Sequence, residues 1–372
     1  MGGAAQVKIL HLANHADAIG SGAVNAMVDL ACVQADEGHH VTVASSGGHY
    51  ESLLTAHRVA HVRLVQRKNV FALPAMLSRF RTVLAREQPE IVHAHMLTGA
   101  VLARLAAMGG DYALIVTVQD EYQKSSRAMG TGDVVVAMNL EDVGPLVRRG
   151  IPANRIRVVA SGTVGSRRFA SAPAAVVLKH PNVVTVAGLV ERKGVFELMR
   201  AFALTLVKHP DAHLYLVGDG PDRGRLEEQA ASLRMTARVH FEGFVSDPRG
   251  YFAQADVFAL AAPQDAWPVA INEAREAGCA IVAVRSGGSF AALDGGKAGQ
   301  LVAPDNPAAL AQTIGSLLDD ETLRETWRQQ ARVGIERLSV ERMHREYLDI
   351  YRASLAARAN QRADHSFESS GR

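Results

Sequence analysis

The stretch QDAWPVAINEAREAGCAIVAV, residues 264–284, sets two carboxylates, Asp265 and Glu273, around a Trp-Pro pair and ahead of an apolar run. Pro268 suits the first helical position, so a helix is expected from about Pro268 to Gly278. At 100° per residue, Ala270, Ile271, Ala274, Ala277 and Gly278 share one face, and their small size suits close packing on a sheet. Glu273 lies at the margin of that face. A carboxylate on a helix rim can accept hydrogen bonds from vicinal hydroxyls such as those of a ribose. The N–H groups of the same first turn can bind phosphate. Asp265, in the loop ahead, can reach a second hydroxyl-bearing group. The plainer alternative is a turn residue and a solvated helix acid, and spacing alone leaves both open.

Upstream, VAGLVERKGVFELMRAF places Arg192-Lys193-Gly194 between a strand and an apolar helix. A Lys there can neutralise a diphosphate, and an Arg can grip phosphate oxygens in a fork. In LYLVGDGPDRGRLEE, Gly218 and Gly220 permit close backbone approach and Pro221 suits the start of a helix. Near the N-terminus, HADAIGSGAVNAMVDLA puts Gly20 and Gly22 before a helix whose free N–H groups can meet an anion, although Gly-Ser-Gly is also an ordinary turn. Arg58, Arg63, Arg67, Lys68, Arg79, Arg81 and Arg86 lie in a tract with no acidic residue, and FALPAMLSRFRTVLA within it reads as an amphipathic helix. Such a face either docks on anionic lipid or is simply solvated. No nucleic-acid motif or interleaved aromatics accompany it, so nucleic acid is not expected.

These residues need elements to hold them. At 372 residues the chain exceeds one ordinary core, which argues for two domains. It is 48% hydrophobic and 21% charged, as a globular protein is. The net charge of +2 names no partner, but residues 1–170 hold 17 Lys/Arg against 13 Asp/Glu and the remainder 23 against 25. The two cysteines, Cys32 and Cys279, suit neither a disulfide framework nor a zinc site. A reducing cytoplasm is the default expectation. The N-terminus lacks the basic start and apolar run of a signal peptide, and runs such as Tyr112–Val118 fall far short of the roughly 18 residues of a membrane helix.

Short apolar runs alternate with helical stretches. Strands are expected at Val7–Ala13, Val41–Ser45, Ile91–Ala94, Ala113–Val118, Val134–Met138 and Ile156–Ala160. A second series follows at Val183–Ala187, His213–Val217, Arg238–Phe241, Val257–Leu260, Ala280–Val284 and Gln300–Val302. Runs this apolar, separated by helices, read as parallel strands covered on both faces. Two series imply two doubly wound α/β domains, expected at 1–170 and 171–340, joined through SRRFASAPAAVVLKHP. A helix at 341–357 is long enough to cross back to the first domain. The polar end, 358–372, is expected to be a disordered tail. Ligands of such sheets bind beyond the carboxyl ends of the strands, where these motifs fall, so a cleft between the two domains is the expected site.

VAGLVERKG, LVGDGP, DAWPVAINEAREAGCAIVAV and SGG…GKAGQLVAPDNPAALAQTI, in this order, resemble glycosyltransferase family 4, the retaining enzymes of GT-B fold. KILHLA, EGHHVTVAS and IVHAHM resemble its first domain more loosely. The resemblance implies two Rossmann-like domains facing a central cleft, a nucleotide-sugar donor on the second and an acceptor on the first. Glu273 would hold the ribose hydroxyls. Asp265 and the backbone at Trp267–Val269 would contact the donor sugar, with Ala274, Gly218 and Gly22 also lining the donor. Lys193 and Arg192 would bind the diphosphate, and Phe244 would sit by the base. Gln119 stands where the family usually has a His that contacts sugar and acceptor, and Gln cannot exchange a proton near neutral pH. Gly188, Ser161, Asp265 and Ala291 also depart from the family pattern.

The implied activity is transfer of a sugar, with retention, from a UDP-sugar or alternatively GDP-mannose to a hydroxyl of a glycan or lipid-linked acceptor. The setting would be bacterial surface polysaccharide or glycolipid assembly, in the cytoplasm or peripherally on the inner membrane face. No cofactor or metal is expected beyond the nucleotide-sugar, and the chain has no Asp-x-Asp. Two rivals stand: a UDP-sugar 2-epimerase, which wants further acid/base groups than Gln119 and Ala291 offer, and a catalytically degenerate sugar-nucleotide-binding subunit.

Overall fold

Apolar runs flanked by amphipathic helices become strands because only the interior of a covered sheet buries both faces of such a run. The computed structural model describes residues 6–19, 21–66, 70–107, 111–119, 130–169 and 171–370. The chain divides into two units, residues 1–161 with 340–372, and residues 162–339.

The first unit is a parallel sheet in the order β3-β2-β1-β4-β5-β6-β7. Its strands are β1 (Lys8–Leu12), β2 (His40–Ser45), β3 (Ala60–Arg63), β4 (Ile91–Ala94), β5 (Ala113–Thr117), β6 (Val134–Ala137) and β7 (Ile156–Val158). Helices α1 (Gly22–Asp36), α2 (Glu51–Ala56), α3 (Leu73–Glu87), α4 (Leu97–Ala106) and α5 (Val143–Arg148) connect them. The strand order reverses between β1 and β4, which is the topological switch point of a doubly wound sheet. Strand β3 was not among the expected strands. Its sequence AHVR is half-exposed at the sheet edge, so it lacks the apolar signature of its buried neighbours.

The second unit repeats the plan in the order β10-β9-β8-β11-β12-β13, again parallel, with the reversal between β8 and β11. Its strands are β8 (Asn182–Val186), β9 (His213–Val217), β10 (Val239–Gly243), β11 (Val257–Leu260), β12 (Ala280–Val284) and β13 (Gln300–Val302). Its helices are α6 (Val195–Thr205), α7 (Arg223–Ser232), α8 (Arg249–Gln254), α9 (Val269–Ala277), α10 (Gly287–Ala292), α11 (Pro307–Asp319) and α12 (Glu321–Arg332). Each sheet carries one apolar core on each face.

The division of the chain falls at residue 161, earlier than the expected boundary at 170, so Arg167 and Arg168 belong to the second unit. A final helix, α13 (Val340–Ser370), returns to the first unit. Val340, Met343, Tyr347, Leu348 and Tyr351 enter that unit's core with α1 and β1. The expected disordered tail at 358–372 is helical through Ser370. The segment is polar, but it extends a helix already nucleated on an apolar core, and propagation is much easier than nucleation. Arg358 also reaches Asp133 at 3.2 Å.

Candidate active site

Residues ahead of Lys193 leave β8, turn at 191–193 and enter α6 through Gly194, which adopts a left-handed φ of 68°. A Cβ at Gly194 would collide with the carbonyl oxygen of Ala261, just after β11. The loops from β8 and β11 therefore touch backbone to backbone, at the point where the strand order reverses. Across that contact Lys193 Nζ forms an ion pair with Asp265. Both side chains are largely buried, which strengthens the pair relative to a surface one.

Asp265 is also held through its backbone. Its carbonyl accepts from Gly288 N (3.0 Å) and from Ser286 Oγ (3.4 Å). Ser286 caps α10 reciprocally with Ser289, Ser289 N donating to Ser286 Oγ (3.1 Å) and Ser286 N to Ser289 Oγ (2.7 Å). The turn-residue alternative for Asp265 thus gives way to a carboxylate positioned against a lysine.

Glu273 lies on α9, which begins after Pro268 and ends at Gly278 in left-handed conformation. It is 8% exposed and not the solvated helix acid of the plainer reading. Arg168 Nη2 donates to Glu273 Oε1 at 3.4 Å. On the same helix Arg275 is buried and spends its donors on Ala331 O (2.9 Å), Ala292 O (2.5 Å), Val333 O (2.7 Å) and Asp294 (3.0 Å). This tethers α9 to the ends of α10 and α12 and fixes the helix that presents Glu273. Ala274 packs wholly into the core, so its side chain has no ligand-facing surface. Trp267 packs against the same core, and its buried indole N–H has no partner. Val269 is half-buried at the first position of α9, where Ile271 N already donates to Pro268 O (2.9 Å).

Gly218 ends β9 with its N–H on Gly243 O (2.8 Å), and a side chain there would strike Ala187 O. Phe244, beside that bridge, is exposed, as is Arg192. Lys193, Arg192, Asp265, Trp267, Val269, Glu273, Gly218 and Phe244 all belong to the carboxyl ends of strands in the second unit or the segments that follow them. Gln119 and Gly22 belong to the first unit, half-buried after β5 and at the start of α1. Gly20, Arg67 and Lys68 lie outside the described residues. The sequence places Arg168 in the linker segment, with its Arg-Arg-Phe context as the one local signal.

The first unit carries a different feature at its own switch point. His11 on β1 and His93 on β4 are register partners, and His95 follows β4. Gln34 Nε2 donates to Tyr351 Oη (3.4 Å), so Gln34 Oε1 accepts from His11 Nε2 (2.7 Å). His11 Nδ1 then accepts from His95 Nε2 (2.9 Å). Tyr351 donates to His93 Nδ1 (2.7 Å) and His93 Nε2 donates to Thr117 Oγ1 (2.7 Å), which also meets Tyr347 Oη (2.8 Å). Burial pushes His11 down to about 4, and burial with the neighbouring imidazoles holds His93 and His95 well below their ordinary value. Their ligand atoms lie within 4.8 Å of one another, as metal ligation needs. A cation ligated by all three would have to displace a hydrogen bond at His93, both of whose nitrogens are engaged. The described arrangement is a neutral network that ties α13 to β1, β4 and β5.

On the basic tract, Arg79, Arg81 and Arg86 are exposed on α3 while Met76, Phe80 and Val83 are buried beneath. Arg86 pairs with Glu87 (2.6 Å), and Phe71, just ahead of α3, is 90% exposed. No described helix is long and apolar enough to cross a membrane.

Two family models match the chain, "Glycosyltransferase Family 4" over residues 20–164 and "Glycosyl transferases group 1" over residues 167–333. A lipopolysaccharide core biosynthesis glycosyltransferase, LpsE of Rhizobium meliloti, is 31% identical over 144 residues, 39% of this chain and 41% of that protein. The chain thus spans less than half of that relative. The N-acetyl-alpha-D-glucosaminyl L-malate synthase of Bacillus anthracis is 25% identical over 89% of this chain and 93% of its own length. Among solved structures, Anabaena Alr3699/HepE in complex with UDP and glucose has a TM-score of 0.80 at 18% identity, covering 94% of this chain and all of that one. That likeness shows the fold, two Rossmann-like α/β domains of the GT-B class. With one family model on each unit and the ion-paired loops at the switch point of the second, the chain belongs to the family 4, group 1 glycosyltransferases.

Proposed function

We propose that this protein transfers a sugar from a nucleotide-diphosphate sugar to a hydroxyl of a glycan or lipid-linked acceptor in surface polysaccharide or glycolipid synthesis. The observation that carries this is the Lys193–Asp265 pair bridging the loops after β8 and β11, with Glu273 on the helix that follows. Support for a UDP-sugar comes from the UDP and glucose bound by the Anabaena protein. Support for the pathway comes from the lipopolysaccharide core relative.

In this reading the second unit binds the donor. Lys193 faces the diphosphate, exchanging part of its pairing with Asp265 for the incoming phosphate oxygens. Arg192, exposed beside it, adds a second cation. Asp265, released from Lys193, accepts from a sugar hydroxyl, and Glu273 accepts from the ribose. The first unit presents the acceptor, with Gln119 as a hydrogen-bonding group and not a base. The acceptor oxygen attacks the anomeric carbon on the face the diphosphate leaves, so configuration is retained. Its proton passes to the departing diphosphate oxygen. Lys193 and Arg192 stabilise the charge that develops there, the kind of preorganised electrostatic effect that dominates many active sites. The positive charge comes from these side chains, so the reading needs no metal. Arg79 and Arg81, with Phe71, would bring the enzyme to an anionic membrane surface where lipid-linked acceptors reside.

Incubation with a panel of nucleotide-sugars, with and without a membrane lipid extract, tests the proposal by mass spectrometry of the products. A sugar-bearing acceptor and free UDP or GDP are expected. An epimerised sugar nucleotide would favour the epimerase. Nucleotide binding without any turnover would favour a binding subunit.

A further inference from the structure

The Lys193–Asp265 pair joins the cation assigned to the diphosphate and the carboxylate assigned to the sugar. Each is the other's partner, so each must give up that partner when a donor arrives. What holds the two ends decides how the pair opens. Lys193 N donates to Val190 O at 2.9 Å, and the next residue, Gly194, is the left-handed position pressed on Ala261 O. The carbonyl of Asp265 accepts from Gly288 N at 3.0 Å, and a Cβ at Gly288 would strike that same oxygen. Neither backbone can retreat without breaking these contacts, so the pair opens through its side chains. Lysine has a flexible four-carbon stem, whereas aspartate has a single methylene. The ammonium can follow a phosphate oxygen while the carboxylate stays close to where it stands.

The two side chains are 21% and 10% exposed, so water reaches them only in part. A carboxylate that loses its cation in such a place is costly unless new donors replace it. A diphosphate that draws Lys193 away also brings negative charge toward Asp265, and like charges at short range repel. Two ligands then differ. A nucleotide-sugar supplies hydroxyl donors to the carboxylate. A bare nucleoside diphosphate offers it only ionised phosphate oxygens, which are acceptors.

We propose that Asp265 is a specificity-determining residue: by competing for Lys193, it makes the site prefer the sugar-bearing donor over the free nucleoside diphosphate that the reaction leaves behind. The ion pair re-forms as the diphosphate departs and so favours product release. This rests on the reading of the second unit as the donor site with Lys193 on the diphosphate.

Calorimetric titration of UDP and UDP-glucose into the full chain, Asp265→Asn and Lys193→Ala tests it, with thermal melting as the fold control. GDP and GDP-mannose serve as the pair if the wild type binds guanosine nucleotides instead. Asparagine keeps the size of Asp265 and removes its charge. UDP is expected to bind Asp265→Asn about threefold or more tightly than wild type, because Lys193 has lost its rival. The ratio of UDP-glucose to UDP affinity is expected to fall by about threefold or more. A merely structural Asp265 would weaken both nucleotides together and strengthen neither. Should Asp265→Asn fail to fold, Asp265→Ser replaces it, with both changes expected in the same directions. If a folded variant binds UDP no more tightly than wild type, or keeps the wild-type ratio, the role of Asp265 is overturned. The donor reading then still stands, provided that Lys193→Ala weakens UDP-glucose. If the wild type binds neither pair of nucleotides, or Lys193→Ala binds them as wild type does, the donor reading fails and this proposal with it.

Discussion

The two units share the order of their first six strands and use its reversal in opposite ways. In the second, β8 and β11 deliver charge: Lys193 against Asp265, with Glu273 against Arg168 close behind. In the first, β1 and β4 deliver neutral imidazoles, His11 and His93, sealed under α13 and satisfied through Gln34, Thr117 and two tyrosines. A switch point offers diverging loops and strand ends. Whether it becomes a binding site depends on what the loops add. Partly exposed charges in the second unit can exchange a protein partner for a ligand. The histidine network is wholly buried and serves cohesion.

The largest effect that sharpens this contrast comes from removing 340–372. Val340, Met343, Tyr347 and Tyr351 each bury a side chain contributing roughly 1.5–3 kcal/mol, more together than the 5–15 kcal/mol margin of a domain can lose safely. Hydrogen exchange should show the first unit unprotected and the second unit's strands still protected. Equal loss in both units would break the comparison.

Next is Gly194→Ala, which combines a left-handed φ with a collision at Ala261 O. A loss of about 2 kcal/mol or more is expected in urea unfolding, confined to the second unit. Tyr351→Phe probes the other unit. It removes the donor to His93 Nδ1 and strands a buried acceptor, at a cost of about 1–3 kcal/mol.

Acid should also act through the histidines. They are held neutral when folded and take protons at about 6.5 when unfolded, so their contribution is present above that pH and lost as pH falls. The loss runs from about 6.5 downward, through about 4 for His11, with His93 and His95 also held well below their ordinary value. Three such groups give a slope of up to about 4 kcal/mol per pH unit. His213 and His240 in the second unit are also lowered, at a more exposed location, so the first unit should lose more. Urea midpoints followed by hydrogen exchange in each unit at pH 7 and 5 measure the difference. The smallest effect is on α3: changing Arg79 and Arg81 to Gln should weaken binding to anionic vesicles by about 1 kcal/mol per residue, in a salt-dependent way, with melting unchanged.

Much of this was legible in the sequence, for physical reasons. Buried parallel strands advertise themselves as continuous apolar runs, and glycines that admit a close backbone, such as Gly194 and Gly218, mark strand-to-helix turns. Edge strand β3 did not show because half-exposed residues carry no such run. The helical tail did not show because its helicity comes from continuity with a packed segment. The sequence places Glu273 on the rim of the correct helix but leaves its burial open, because its partner Arg168 is 105 residues away in sequence and no local pattern predicts a pair across that distance. Gln34 and Thr117 escaped notice for the same reason, their partners Tyr351 and Tyr347 being supplied by the returning helix.

The central claim is that the charged switch point of the second unit is a nucleotide-sugar site. Calorimetric titration of UDP-glucose into wild type and Lys193→Ala tests it most directly. Loss of the charged contact to the diphosphate predicts affinity about tenfold or more weaker, with melting within a few degrees of wild type. Equal affinity for both proteins would contradict the assignment.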